Sequence, residues 1–289
     1  MRLGRFTAGG RTVLGVVLAE EVADLTAVDP TLPDDVGGVL SAGLLSKLDG
    51  LVGAAPRIAL RDLRVEVPIR RPPSFLAVGL NYREHIQETG LDEGDVPVIF
   101  NKQVTCVAGP FDPIEIPAVA PDHVDYEGEL GVVIGTTCRA VPVDRAPEVV
   151  AGYVVVNDVS VRDWQFATPT WTMGKGWDTH GPIGPWLVTA DELPDPHQLR
   201  IRTWVDGDLR QDASTAQMIN NCWQLISYLS IAFTLLPGTI IATGTPAGVG
   251  FRMDPPRMLH AGSHVRVEIE EIGSLDNPVI AQPPTEWST

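Results

Sequence analysis

Two acids lead straight into an apolar run: Asp125-Tyr126-Glu127-Gly128-Glu129-Leu130 continues as Gly131-Val132-Val133-Ile134-Gly135. Residues i and i+2 of a strand point to the same face, so Glu127 and Glu129 set two carboxylates side by side. Like charges that close are unfavourable unless a cation joins them or one takes a proton. A fold for this chain must supply one or the other, or leave the pair facing solvent on an edge strand. A third acid, Asp158, ends a second apolar run, Tyr153-Val154-Val155-Val156-Asn157-Asp158. Three carboxylates at the ends of apolar strands match the oxygen ligands of a hard cation, Mg²⁺ or Mn²⁺.

The rest of the chain is punctuated like a β-rich protein. It holds 28 glycines and 25 prolines in 289 residues, with Val and Ile frequent, which points to many short strands joined by tight turns. That length allows one large domain, or one plus a small appendage. Residues 3–6 and 13–18 read as a hairpin around Gly9-Gly10, and 34–51 as helical. Arg70-Arg71-Pro72-Pro73 marks a boundary, dividing the chain into a small N-terminal domain, 1–70, and a larger one, 71–289. Strands are expected at 74–79, 98–102, 129–135, 152–157, 186–189, 199–205, 239–242 and 265–269. A helix begins near Arg83. Residues 213–236 form the one long helical candidate, with Ser214 as N-cap and Pro237-Gly238 as its stop.

The formal net charge of −16 lacks the basic footprint that nucleic acid requires. Three cysteines, Cys106, Cys138 and Cys222, with no CxxC, suggest neither a disulfide framework nor a zinc site. The longest apolar run near the N-terminus, 13–19, is followed by Glu20-Glu21, unlike a signal peptide. No stretch approaches a membrane span. The expectation is a soluble, cytoplasmic protein with no nucleic-acid or membrane partner.

Four further groups could carry chemistry. His85 and Glu88, three apart, share a helix face; a carboxylate that orients an imidazole makes a general base, and a surface ion pair is the plainer alternative. Arg162 and Gln165 follow Asp158 and suit an anionic substrate, unless Arg162 is spent on Asp158 or Asp163. Lys175, between Gly174 and Gly176, could serve an oxyanion or move a proton, or be a surface loop lysine. The stretch Thr243-Gly244-Thr245-Pro246-Ala247-Gly248-Val249-Gly250 is no Walker loop, but its N–H groups and hydroxyls could cradle a carboxylate.

Their order along the chain is more specific than any one of them. Val78-Gly79-Leu80-Asn81-Tyr82 with His85 and Glu88, then Phe100-Asn101-Lys102, then the 125–130 segment, resembles the fumarylacetoacetate hydrolase family. So do Asn157-Asp158-Val159-Ser160 with Arg162 and Gln165, Gly174-Lys175-Gly176 with Asp178, Gly181-Pro182-Ile183-Gly184-Pro185-Trp186, the 241–250 stretch, and Ile272-Gly273-Ser274-Leu275-Asp276-Asn277-Pro278. The likeness spans roughly 72–280. It implies an α+β, β-rich fold, a mixed β-sheet roll with short flanking helices plus a small N-terminal α/β domain, and a homodimer as the usual minimum assembly. It also implies Mg²⁺ or Mn²⁺ held at Glu127, Glu129 and Asp158, a catalytic His85–Glu88 pair on a lid, an active-site lysine at Lys175, and substrate contacts at Arg162, Gln165 and Thr245. Cys106, His180, Trp171 and Trp177 depart from the family's usual residues and bear on substrate shape.

The activity implied is hydrolysis of a C–C bond in a small β-diketo acid, acylpyruvate-like or fumarylpyruvate-like, of the sort met in catabolism of aromatic compounds. The alternative is an isomerase, decarboxylase or lyase working through a metal-stabilised enolate on a hydroxymuconate-type or oxaloacetate-type acid. A carboxylate-binding homologue without chemistry would have no need of three acids, a His-Glu pair and a lysine together. A dinucleotide oxidoreductase would show GxGxxG after an N-terminal strand, and none is present.

Overall fold

A computed structural model of the chain describes residues 1–90, 94 and 96–284. Its first element is the expected hairpin. Arg2–Ala8 and Arg11–Leu18 pair antiparallel with Ala8 opposite Arg11, and both turn residues, Gly9 and Gly10, have positive φ, the geometry a two-residue hairpin turn requires. From there the main sheet, twelve-stranded among the described residues, runs Arg57–Ala59, Glu21–Asp24, Arg11–Leu18, Arg2–Ala8, Gly181–Thr189, Val150–Asn157, Gly128–Ile134, Ile240–Ala242, Phe75–Gly79, Val98–Lys102, with two short strands attached off that path. Most pairs are antiparallel; Ile240–Ala242 runs parallel to Phe75–Gly79. A five-stranded sheet, Asp208–Ser214, Arg200–Val205, His264–Ile269, Gly273–Ala281, Ile114–Ile116, lies against it. The result is a β-rich mixed roll with short helices.

Both faces of the central strands are covered, which is why they are apolar at consecutive positions. Along Val150–Asn157, Tyr153 and Val155 pack into a core shared with Ile201, Val205, Val267 and Leu275 of the smaller sheet. Val154 and Val156 face a second core, shared with Leu3, Leu14, Leu25 and Val36. Burying these four strand side chains contributes on the order of 10 kcal/mol.

Several boundaries differ from expectation. Residues 34–51 form three short pieces, Val36–Ser41, Leu45–Lys47 and Asp49–Val52, separated after Gly43, whose φ of +66° ends the first. The long helix of 213–236 is only Cys222–Ala232, capped by Asn221 and not by Ser214. Ser214 instead ends the strand Asp208–Ser214 and caps the 3₁₀ turn Thr215–Gln217. Gly273–Ala281 is a further strand that Pro278 conceals in the sequence. The three cysteines are unpaired. Among the described residues no helix is long and apolar enough to cross a membrane.

Candidate active site

Antiparallel register assembles the acidic cluster. Gly128 stands opposite Asn157, so the residues just outside the two strands, Glu127 and Asp158, become neighbours, joined by the Asp158 N–H to the Glu127 carbonyl at 2.8 Å. One carboxylate oxygen from each of Glu127, Glu129 and Asp158 lies within 4.8 Å of the other two. All three side chains are buried.

Two of these acids are matched by cations. Lys175 Nζ donates to Glu127 Oε2 and to Asp158 Oδ2, each at 2.7 Å. Lys102 Nζ donates to Asp158 Oδ1 at 2.6 Å and to the Lys175 carbonyl at 2.5 Å. Arg162 reaches Glu127 Oε1 at 2.7 Å and holds Asp125 Oδ2 through Nε and a second terminal nitrogen, at 2.9 and 2.7 Å. Burial opposes charge on Glu127, yet Lys175 and Arg162 outweigh it and lower its pKa to about 2. Glu129 has the opposite balance. Burial, and then the charges of Asp158 and Glu127, push it well above the carboxylate range. Its polar partner is the Gly244 N–H at 2.8 Å, and no Lys or Arg of the described residues pairs with it. A buried acid left uncompensated beside two ionised ones fits a site for a divalent cation.

Lys175 sits on the short helix Thr172–Lys175. That helix can approach Arg162–Phe166 only because residue 174 is glycine: a Cβ there would lie 2.3 Å from Gln165 Cα. Arg162 donates to Gln165 Oε1 at 2.8 Å, leaving the amide NH₂ for a ligand. Of the three N–H bonds on Lys175 Nζ, two go to the acids. Thr245 gives its hydroxyl hydrogen to the Gly128 carbonyl at 3.0 Å and accepts from Gln211 Nε2 at 2.8 Å.

His85 and Glu88 do share a face of the helix Arg83–Thr89, with Nδ1 3.2 Å from Glu88 Oε2. Glu88 also accepts the Gly248 N–H at 3.0 Å, which ties this helix to the glycine-rich loop. Asn81 anchors the helix start by donating to the Thr243 and Asn220 carbonyls. With Nδ1 occupied, Nε2 is the nitrogen left to take a proton.

His85, Glu127, Arg162, Gln165, Lys175 and Thr245 all line one cavity of about 350 Å³. Glu129 and Asp158 are not on its wall, nor is Glu88, which meets His85 instead. Val78, Gly79, Leu80, Phe166, Trp171, Phe251 and Arg252 complete the cavity's lining. Of the four departures from the family pattern, Trp171 alone lines the cavity. Cys106, His180 and Trp177 do not, so they do not shape it directly. Two residues of the cluster have no assigned role in the sequence reading: Lys102, which enters it only within the Phe100-Asn101-Lys102 motif that closes a strand, and Asp125, which reads as the lead-in to the paired glutamates. Asp125 accepts from Gly250, Phe251 and Arg162, so it binds loop to site.

The profile of the fumarylacetoacetate (FAA) hydrolase C-terminal region matches residues 74–280. The chain belongs to the fumarylacetoacetate hydrolase family. Solved family structures superpose over 98% of it and all of their own length. The fumarylacetoacetate hydrolase of Exiguobacterium antarcticum does so with a TM-score of 0.88 at 38% identity. The maleylpyruvate hydrolase of Sphingobium sp. SYK-6, solved with manganese(II) and pyruvate, gives 0.81 at 34%. The 5-carboxymethyl-2-hydroxymuconate delta-isomerase of Mycobacterium smegmatis gives 0.78, also at 34%. Family membership makes the chain an enzyme of this group, with a fold its neighbours share.

Proposed function

We propose that the chain is a divalent-metal-dependent hydrolase that cleaves a C–C bond in a β-diketo acid of the acylpyruvate or fumarylpyruvate type. One observation carries this reading: a carboxylate-oriented imidazole lines the same cavity as Glu127, the member of the acidic cluster that reaches its wall. Glu127, Glu129 and Asp158 would hold Mg²⁺ or Mn²⁺, which when bound supplies a Lewis acid and a template for a carboxylate and its neighbouring keto oxygen. Glu88 fixes the tautomer of His85, and Nε2 takes a proton from water. The hydroxide adds to the distal carbonyl. The remaining N–H of Lys175 and the amide NH₂ of Gln165 are the donors for the resulting oxyanion. Collapse breaks the C–C bond, releasing a carboxylic acid and a pyruvate-type enolate, which takes a proton to give the keto acid. Arg162, already paired with Glu127, holds the acidic side of the site and borders the substrate; Thr245 closes its floor.

The manganese and pyruvate named with the Sphingobium enzyme support the metal and the keto-acid end. The Mycobacterium isomerase, at the same identity, supports a second reading: isomerisation, decarboxylation or lyase chemistry on a hydroxymuconate-type or oxaloacetate-type acid. His85 separates the two. His85→Ala should lower hydrolysis of an acylpyruvate at least about 100-fold while slowing enolisation of the same acid far less. Equal losses would remove His85 as the water base. The homodimer expected from the family is carried as part of the proposal; sedimentation velocity showing a monomer at micromolar concentration would refute it.

A further inference from the structure

We propose that Arg252, displayed on the turn Gly250–Arg252, is a subsite for a second carboxylate at the far end of the substrate; this rests on the diketo-acid reading above. Arg162 and Lys175, the other Lys or Arg side chains on the cavity wall, are already matched by Asp125, Glu127 and Asp158. Neither has a full charge to offer a ligand tail. Arg252 lines the same cavity, is exposed at its mouth, and forms no ion pair with any described residue. On a chain of net charge −16, an unmatched guanidinium at a cavity mouth is a local attractor for anions.

Its position is coupled to the site. Asp125 accepts the N–H groups of Gly250 at 2.8 Å and Phe251 at 3.1 Å, and its Oδ2 is the atom that also holds Arg162. One buried carboxylate therefore ties the turn carrying Arg252 to the arginine beside Glu127. The Phe251 ring stands under both guanidinium groups, 4.3 Å from Arg162 Cζ and 5.0 Å from Arg252 Cζ. The two cations are thus no further apart than those distances combined, a span for a short carbon chain. Phe166, 5.7 Å from Phe251, and Trp171 give that chain an apolar wall. A substrate with a keto-acid head at the acidic cluster, a short hydrocarbon middle and a carboxylate tail fits this order, and a planar guanidinium binds such a tail through two parallel hydrogen bonds.

Binding without turnover tests it. In Mg²⁺, calorimetry would compare 2-oxohexanedioate with 2-oxohexanoate, acids of equal length that differ in the terminal carboxylate. Wild type should favour the diacid by about fivefold or more. Arg252→Met should bring that ratio close to one, and Arg252→Lys should recover part of it. A wild type without preference, or an Arg252→Met variant that keeps it, overturns the proposal. With diketo acids carrying or lacking the terminal carboxylate, Arg252→Met should raise KM for the diacid more than it lowers kcat. If neither diketo acid is cleaved, the hydrolase reading fails, while the binding ratio still decides Arg252.

Discussion

Glu129 is the acid the fold leaves without a cation, and that makes it testable apart from catalysis. In metal-free protein its raised pKa means the unfolded chain releases this proton at lower pH than the folded one. Stability is therefore whole below the ordinary carboxylate pKa and falls as pH rises towards the folded value. Glu129→Gln keeps an acceptor for the Gly244 N–H and removes the penalty. In chelator at pH 7 the variant should melt above wild type, and near pH 4 the difference should close. Manganese should then raise the Tm of wild type by about 5 °C at saturating excess and that of the variant much less. A lower Tm for the variant in chelator would mean that Glu129 is ionised and satisfied. His180 titrates with the other sign. Burial first of all pushes its pKa down to about 4; Nε2 donates to the Glu115 carbonyl and Nδ1 has no partner among the described residues. The unfolded chain takes up this proton near pH 6.5, so stability is full above that value and drops by about 3 kcal/mol as pH falls towards 4. His180→Gln should flatten that part of the acid limb, read as urea midpoints at pH 7 and 4.5; an unchanged slope would assign it to other groups.

Gly174 is where two short helices are allowed to touch. A methyl group there would meet Gln165 backbone atoms at 2.3 and 2.4 Å, and backbone cannot swing away as a side-chain tip can. Gly174→Ala should thus part Thr172–Lys175 from Arg162–Phe166, cost about 2–4 kcal/mol, and displace Lys175 from Glu127 and Asp158. Denaturation midpoints and acylpyruvate turnover should fall together; a variant of wild-type stability would contradict the close approach. The same elements mark how far sequence reasoning carries. Glu127, Glu129 and Asp158 were legible because strand period and strand ends are local facts, and Gly9-Gly10 announced its own hairpin. Lys102 and Asp125 were not, because each gets its role from partners dozens of residues away, brought near by sheet register. The supposed helix over 213–236 failed for a local reason that was open to view. Ser214 with Gln217 and Asn221 with Gln224 are two successive capping boxes, so a turn and a helix start separately where apolar spacing alone suggested one long helix. Pro278 hid a strand because its backbone, which has no N–H, sits in a pairing that makes no use of one.

At the scale of the whole molecule, the family likeness and the core do not share a boundary. The family match begins at residue 74, just past Pro72-Pro73, where the sequence marks off residues 1–70 as a small N-terminal domain. Yet Arg2 and Leu3 pair with Val188 and Leu187 of the strand Gly181–Thr189, and the Met1 ammonium meets Glu192 at 2.9 Å. Leu3, Leu14, Leu25, Val36 and Leu48 occupy one core with Phe75, Val133, Val154, Val156, Ile183 and Leu187. Removing residues 1–70 would bare the second group. At roughly 1.5–3 kcal/mol for each large apolar side chain, that loss is comparable to the 5–15 kcal/mol that holds a typical domain folded. It would also open the edge of Gly181–Thr189 to pairing with other chains. The 71–289 fragment should therefore show no sharp thermal transition and should bind a hydrophobic dye or aggregate, whereas the full chain should unfold in a single calorimetric step. A fragment that melts cooperatively and still gains stability from manganese would establish the N-terminal 70 residues as a detachable appendage, and the acidic cluster as a site that the larger unit can build alone.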